Sequence, residues 1–287
     1  MEIKVVGIPS FAGALYSGTE AAPEAMRKAG LIELLKEEGI EVKDLGDIAV
    51  PSYMPRHNIA PIRNWPAPRI VWEEICKSSY QWFGKEEFIL ILGGDCSIVA
   101  GTVNALYSLY GDKTHLIAID GHLDTVKPSV DKSIGAAAMG LWFLTNENMF
   151  FNKPSEFHGR NIRVVGHHQE GEVIKDMPLY SLDYIGKKGI KNAAEEILAS
   201  LPSDAKVIIH LDLDVLYKEE LYAVYSPSDK GMKIKELELL LATIISDSRV
   251  VGLEVTEFSA IKDLEGNEAY KVTKLLAEAL KAKYKFV

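Results

Sequence analysis

The sequence predicts a three-layer α/β/α fold built on a parallel β-sheet, and three observations predict it. Runs such as "EFILILGG" (87–94) and "AKVIIHLDLDV" (205–215) are apolar at nearly every core position, the pattern of strands covered on both faces. Amphipathic stretches of helical period separate them, as parallel crossovers require. Several runs then end abruptly in polar residues, at the rim where ligands collect in such sheets.

The first strand, 3–9, leads through a Gly/Ser-rich loop to a helix opening at Ala22-Pro23 and running to Gly39. Pro23 suits a first turn, where its missing N–H is not needed, and Gly39 suits the C-terminal end. A second strand, 40–46, follows at once. Residues 49–69 hold five prolines and little periodicity, which predicts a loop or lid. A helix over 70–83, with Cys76 on its core side, leads to a strand at 87–95, and a helix at 97–111 returns to a strand at 115–120. The alternation continues with a helix near 134–145, a strand at 161–166, a strand or loop at 178–185 and a helix at 189–201. A strand at 205–215, a helix at 233–245, a strand at 249–258 and a last helix at 267–283 complete it. No repeat, linker or composition shift divides the chain, so one domain spanning 1–287 is expected.

Hydrophobic residues at 47% and charged residues at 25% exclude a disordered chain and fit a globular enzyme or binding protein. A net charge of −9 argues against a nucleic-acid partner and favours cationic ligands. No run has the length of a membrane span, and "MEIKVVGIPS" lacks the features of a signal peptide, so a cytoplasmic protein without membrane contact is expected. Cys76 and Cys96 alone make no disulfide framework.

Four apolar runs end in polar groups: Gly93-Gly94-Asp95-Cys96, Asp120-Gly121-His122-Leu123-Asp124, Asp212-Leu213-Asp214 and Glu254-Val255-Thr256-Glu257. In an extended segment, side chains at i, i+2 and i+4 share a face, which groups Asp120 with His122 and Asp124, and Asp212 with Asp214. A single D-x-D is more often a strand end or turn cap. Two such motifs on separate strands of one sheet are another matter, because that many buried like charges need neutralising, and divalent cations do so most simply. Mixed carboxylate and imidazole donors suit Mn²⁺ or Fe²⁺, and the number of aspartates suits two ions.

These motifs resemble those of the ureohydrolase superfamily, the arginase, agmatinase and formimidoylglutamase group of dinuclear manganese enzymes. The resemblance runs from "SGTEAAPEAMRKAGL" (17–31) to "GLEVTEFSA" (252–260). The family's GGDHS stands here as 93–97 with Cys96 at the histidine, its DAHxD as 120–124, and its SxDxDxxDP as 210–217 without the final Asp-Pro. The resemblance implies an arginase-like fold in which Cys96, Asp120, Asp124 and Asp212 hold one Mn²⁺. His122, Asp214 and the shared aspartates would hold a second. It implies that Asp124, His122 and Glu257 serve catalysis, Glu257 by clamping a guanidinium, and that the chain forms a homo-oligomer, trimer or hexamer. Two readings of Cys96 stay open: a thiolate ligand drawing the site toward Zn²⁺ or Fe²⁺, or a buried protonated thiol that leaves one site empty.

Departures from the family pattern shape the expected substrate. The positions that bind an α-carboxylate fall on Val126 and Ser133, the shuttle histidine falls on Ala137, and a GTP segment becomes Tyr225-Ser226-Pro227. Ser133 and Ser226 remain candidates for substrate binding, Arg56 and His57 of the 49–69 loop for selectivity, and His167 or His168 for proton transfer. The expectation is an agmatinase-like hydrolase releasing urea from a small cationic guanidino amine. A catalytically inactive homologue with a binding or regulatory role is the alternative, and cleavage of another linear C–N bond is a third reading.

Overall fold

A computed structural model describes residues 2–51, 53–83, 87–154 and 156–284, so Ser52 of the proline-rich loop and both ends of the 1–287 span lie outside the described residues. The chain order is β1 (Glu2–Gly7), α1 (Ala22–Lys28), α2 (Leu31–Glu37), β2 (Glu41–Asp47), α3 (Ala67–Ser78), β3 (Glu87–Leu92), α4 (Val99–Tyr110), β4 (Thr114–Ile119), α5 (Gly140–Thr145) and β5 (Ile162–Val165). It continues through β6 (Leu179–Tyr180), α6 (Leu182–Lys188), α7 (Ile190–Ala199), β7 (Lys206–Asp212), α8 (Ile234–Ile245), β8 (Val250–Thr256) and α9 (Asn267–Tyr284).

The strands form one sheet in the order β2-β1-β3-β8-β7-β4-β5-β6, and every pairing is parallel. Alternation along each strand feeds two cores. Ile3, Val5, Leu90, Ile117, Val207 and Ile209 pack under α1, α2 and α6–α9. Val6, Ile89, Ile91, Leu116, Ala118 and Ile208 pack under α3–α5. This is the expected three-layer arrangement. Strands apolar on both faces have no solvated side, so each turns every side chain into a helix-covered layer.

Several elements depart from expectation for local reasons. The helix expected over 22–39 is two helices, because Gly30 takes φ 86° and an αL residue cannot continue an α-helix. The helix expected over 70–83 starts at Ala67 and stops at Ser78, with Pro68 in its first turn. The segment 178–185 pairs as a strand only at Leu179–Tyr180. It then forms α6, whose start is fixed by the Ser181 side chain accepting the Tyr184 N–H at 3.2 Å. Cys76 was expected in the core and is exposed. The buried stripe of α3 runs through Val71, Trp72 and Ile75, which leaves the next position outside it. Among the described residues no helix is long and apolar enough to cross a membrane.

Candidate metal centre

Register places the four polar strand ends side by side. Leu92 pairs with Val255, Val255 with Leu211, and Leu211 with Ile119, so β3, β8, β7 and β4 reach the rim at one level in the centre of the sheet. The residues that follow must meet there.

The alternation argument for how they meet is corrected by the structure. Strand β4 ends at Ile119, and Asp214 lies in a short 3₁₀ turn after β7, so neither acidic motif is an extended segment. Their first aspartates fold them instead: Asp120 Oδ1 accepts the His122 N–H at 2.6 Å, and Asp212 Oδ1 accepts the Asp214 N–H at 2.7 Å. Aspartates commonly set turns in this way. Asp124 (φ 49°) and Glu257 (φ 66°) both hold left-handed backbone, a strained state for residues other than glycine.

Among the described residues three overlapping groups result, each with ligand atoms within 4.8 Å of one another: Asp120 with His122, Asp212 and Asp214; Cys96 with Asp212 and Glu257; and Cys96 with Asp120 and His210. Asp124 is in none of the three, though it lies close enough for its charge to reach Cys96. His122 Nδ1 is 3.0 Å from Asp214 Oδ2 and 3.6 Å from Asp120 Oδ1. Cys96 Sγ donates to Asp212 Oδ2 at 2.9 Å and lies 3.1 Å from Thr256 Oγ1, while the Cys96 N–H donates to Glu257 Oε1 at 2.7 Å. Asp95 stands back from the cluster, holding the loop of residues 10–13 through the Gly13 N–H and opening the Cys96 turn through the Ser97 N–H.

The electrostatics are those of crowded buried acids. Burial, then the charges of neighbouring carboxylates, pushes Asp124, Asp212 and Glu257 well above the usual carboxylate range, and Asp214 also rises. Burial, then Asp212 and Glu257, pushes the Cys96 thiol up. Burial alone would lower His122, but hydrogen bonds to Asp120 and Asp214 carry it up to about 12. Asp214 Oδ1, Glu257 Oε2 and His210 Nε2 are buried with no hydrogen-bond partner. Buried acceptors in that state are costly, and cations would satisfy them while cancelling the repulsion. The donor set fits divalent ions.

Other residues singled out in the sequence take various places. The Ser133 hydroxyl is buried without a partner, whereas Ser226 is exposed one residue beyond Tyr225, whose N–H binds the Glu257 carbonyl at 2.9 Å. His168 sits against the centre, its ring 6.5 Å from that of His122 and its Nε2 2.9 Å from Ser228 Oγ. Gly121 makes this approach possible, since a Cβ there would lie 2.8 Å from His168 Cε1. Arg56 stacks 4.3 Å over Phe11 and lines a cleft of about 530 Å³ with Phe11, Met54 and Asn64. His57 is held within its own loop, with Nε2 2.7 Å from the Trp65 carbonyl and Nδ1 accepting the Ile59 N–H. Two groups at the centre escaped the sequence reading of roles: His210 and Glu254, joined Nδ1 to Oε1 at 2.6 Å. Their signal was present as single polar residues inside apolar strands, in step with Asp212 and Thr256.

Comparison with known proteins agrees with this architecture. A family model described as the arginase family matches residues 1–281. The arginase of Bacillus subtilis (strain 168) is 28% identical over 293 residues, covering 98% of each chain. The crystal structure of arginase from Bacillus cereus superposes with a TM-score of 0.84 at 26% identity over 98% of each chain. Formimidoylglutamase from Bacillus subtilis shares the fold, with a TM-score of 0.79 at 19% identity over 99% of this chain and 87% of that one.

Proposed function

The chain belongs to the arginase family, and from that premise we propose that it is a dinuclear metal amidinohydrolase, agmatinase-like in releasing urea from a guanidino amine. One observation carries the reading: four adjacent strand ends gather Cys96, Asp120, His122, Asp212, Asp214 and Glu257, and leave buried acceptors there unpartnered. In this reading Asp120, His122, Asp212 and Asp214 hold one divalent ion, and Cys96, Asp124 and the shared aspartates face the other. Manganese is the expected metal, with Zn²⁺ or Fe²⁺ favoured to the extent that the Cys96 sulfur participates. When bound, two such ions supply the Lewis acidity that makes water nucleophilic at neutral pH.

The chain's own residues do the rest. Glu257 is anchored through Oε1 by the Cys96 N–H, which leaves Oε2 free to accept a guanidinium N–H and orient the carbon to be attacked. Ala137 cannot carry a proton to the departing amine. His168, beside His122 and buffered by Ser228, is the group best placed to do so. The exposed Val126 side chain offers no hydrogen bond to a substrate carboxylate.

A urea-release screen of the Mn²⁺-loaded protein across agmatine, shorter and longer guanidino amines and arginine tests this. An unpaired carboxylate costs about 1–3 kcal/mol, so guanidino amines should exceed arginine by roughly 10–100-fold in kcat/KM. Preference for arginine would sink the amine assignment. No urea from any substrate, with two ions bound, would favour a binding or regulatory role. The family's homo-oligomeric assembly, a trimer or hexamer, extends to this chain in the same proposal, and sedimentation velocity reads it directly.

A further inference from the structure

The geometry points to His210 as the nitrogen donor of the metal on the Cys96 side, replacing from strand β7 the imidazole that Cys96 does not supply; this rests on the two-ion reading above. His210 is the only polar residue within the apolar part of β7 and points to the same face as Asp212, two positions on. It lies between Ala118 of β4 and Glu254 of β8 in the sheet register, and the small alanine leaves room for a ring. The side chain is 2% exposed, and its ligand atom falls within 4.8 Å of those of Cys96 and Asp120.

The hydrogen bonding fixes which nitrogen is available. His210 Nδ1 is 2.6 Å from Glu254 Oε1; with Glu254 as a carboxylate acceptor Nδ1 donates there, and Nε2 is left with no partner in a buried site. An imidazole that donates one N–H to a carboxylate and offers its other nitrogen to a cation is the usual arrangement of metal-ligating histidine. A structural His–Glu pair would account for Nδ1 alone. It would leave Nε2 orphaned in a residue that lies against Cys96 and Asp120, at the cost that buried unpaired groups carry. The sulfur is already engaged, donating to Asp212 Oδ2 at 2.9 Å and lying 3.1 Å from Thr256 Oγ1, whereas Nε2 is unengaged.

Co²⁺ titration of the full chain, followed by elemental analysis and visible absorption, tests the assignment in wild type, His210→Gln, Glu254→Gln and Cys96→Ser. Wild type should bind two ions. His210→Gln should retain one, and Glu254→Gln, which keeps the volume and the fold, should weaken the same ion by roughly 10–100-fold. Cys96→Ser should weaken it less than His210→Gln does. Two ions bound at wild-type affinity by both His210→Gln and Glu254→Gln would overturn the assignment, as would a larger loss in Cys96→Ser. If His210→Gln fails to fold by circular dichroism, Glu254→Gln decides alone. Fewer than two ions in wild type would sink the two-ion reading itself, and the assignment with it.

Discussion

At the scale of single residues, the centre stands on a conflict that Asp212 makes plain. It accepts from the Asp214 N–H and the Cys96 thiol, shares two of the three ligand groups, and is pushed up first by burial and then by the charge of Asp214. Removing that charge should therefore have opposite effects with and without metal. In metal-stripped protein, Asp212→Asn relieves repulsion and should raise the melting temperature. In the presence of Mn²⁺ it removes a shared ligand, and the activation free energy of hydrolysis should rise by about 4 kcal/mol, lowering kcat/KM roughly 10³-fold. Paired melting and rate measurements read both signs. An Asn variant that matches wild type in metal-loaded activity would contradict the proposed chemistry. Which residues gather at the rim was legible in the sequence because Asp120, His122, Asp212 and Asp214 stand where apolar strands stop. How they converge was not, since aspartate-capped turns rather than strand alternation bring them together, and a turn after a strand has no period to read.

At the scale of elements, strands were legible wherever both faces are buried, and helix limits were misjudged where a single residue decides them, as Gly30 does between α1 and α2. The short α6 was invisible as periodicity because seven residues give fewer than two turns. The β4–β5 pair carries a testable consequence at the end of the sheet remote from the cluster. His115, near the start of β4, is buried, and Arg163 of β5 donates to its Nδ1 at 3.0 Å while also holding the Ser200 carbonyl at 2.6 Å. Burial, then the Arg163 charge, lowers the imidazole from 6.5 to about 4. The unfolded chain thus takes up a proton near pH 6.5 that the folded chain refuses until about pH 4. Stability should accordingly fall as pH drops through that window and level off below it. His115→Gln, which still accepts from Arg163, should flatten the slope between pH 6.5 and 4 in melting curves. An unchanged slope would place the titrating group elsewhere.

At the scale of the whole molecule, the order β2-β1-β3-β8-β7-β4-β5-β6 inserts the last two strands of the sequence between β3 and β4. The proposed ligands therefore come from the ends of β3, β4 and β7, residues 96 to 214, with Glu257 beside them from β8. No sequence pattern announces that insertion, because each strand reads alike whatever its neighbour. It has a thermodynamic consequence. A cation held between β3, β4, β7 and β8 binds only when both halves of the sheet are in place, so binding energy must appear as stability of the whole unit rather than of one part. At a free Mn²⁺ concentration 100 times the dissociation constant, each independent site should add about 2.7 kcal/mol. For a chain of this size that is roughly 5 °C in melting temperature per ion. Scanning calorimetry of chelator-stripped and Mn²⁺-loaded protein should show one transition moving upward as a unit, with the shift much reduced in Asp212→Asn. Two transitions, only one of them responsive to metal, would mean that the ligands belong to a separately folding part, and the central sheet would no longer explain why the site is where it is.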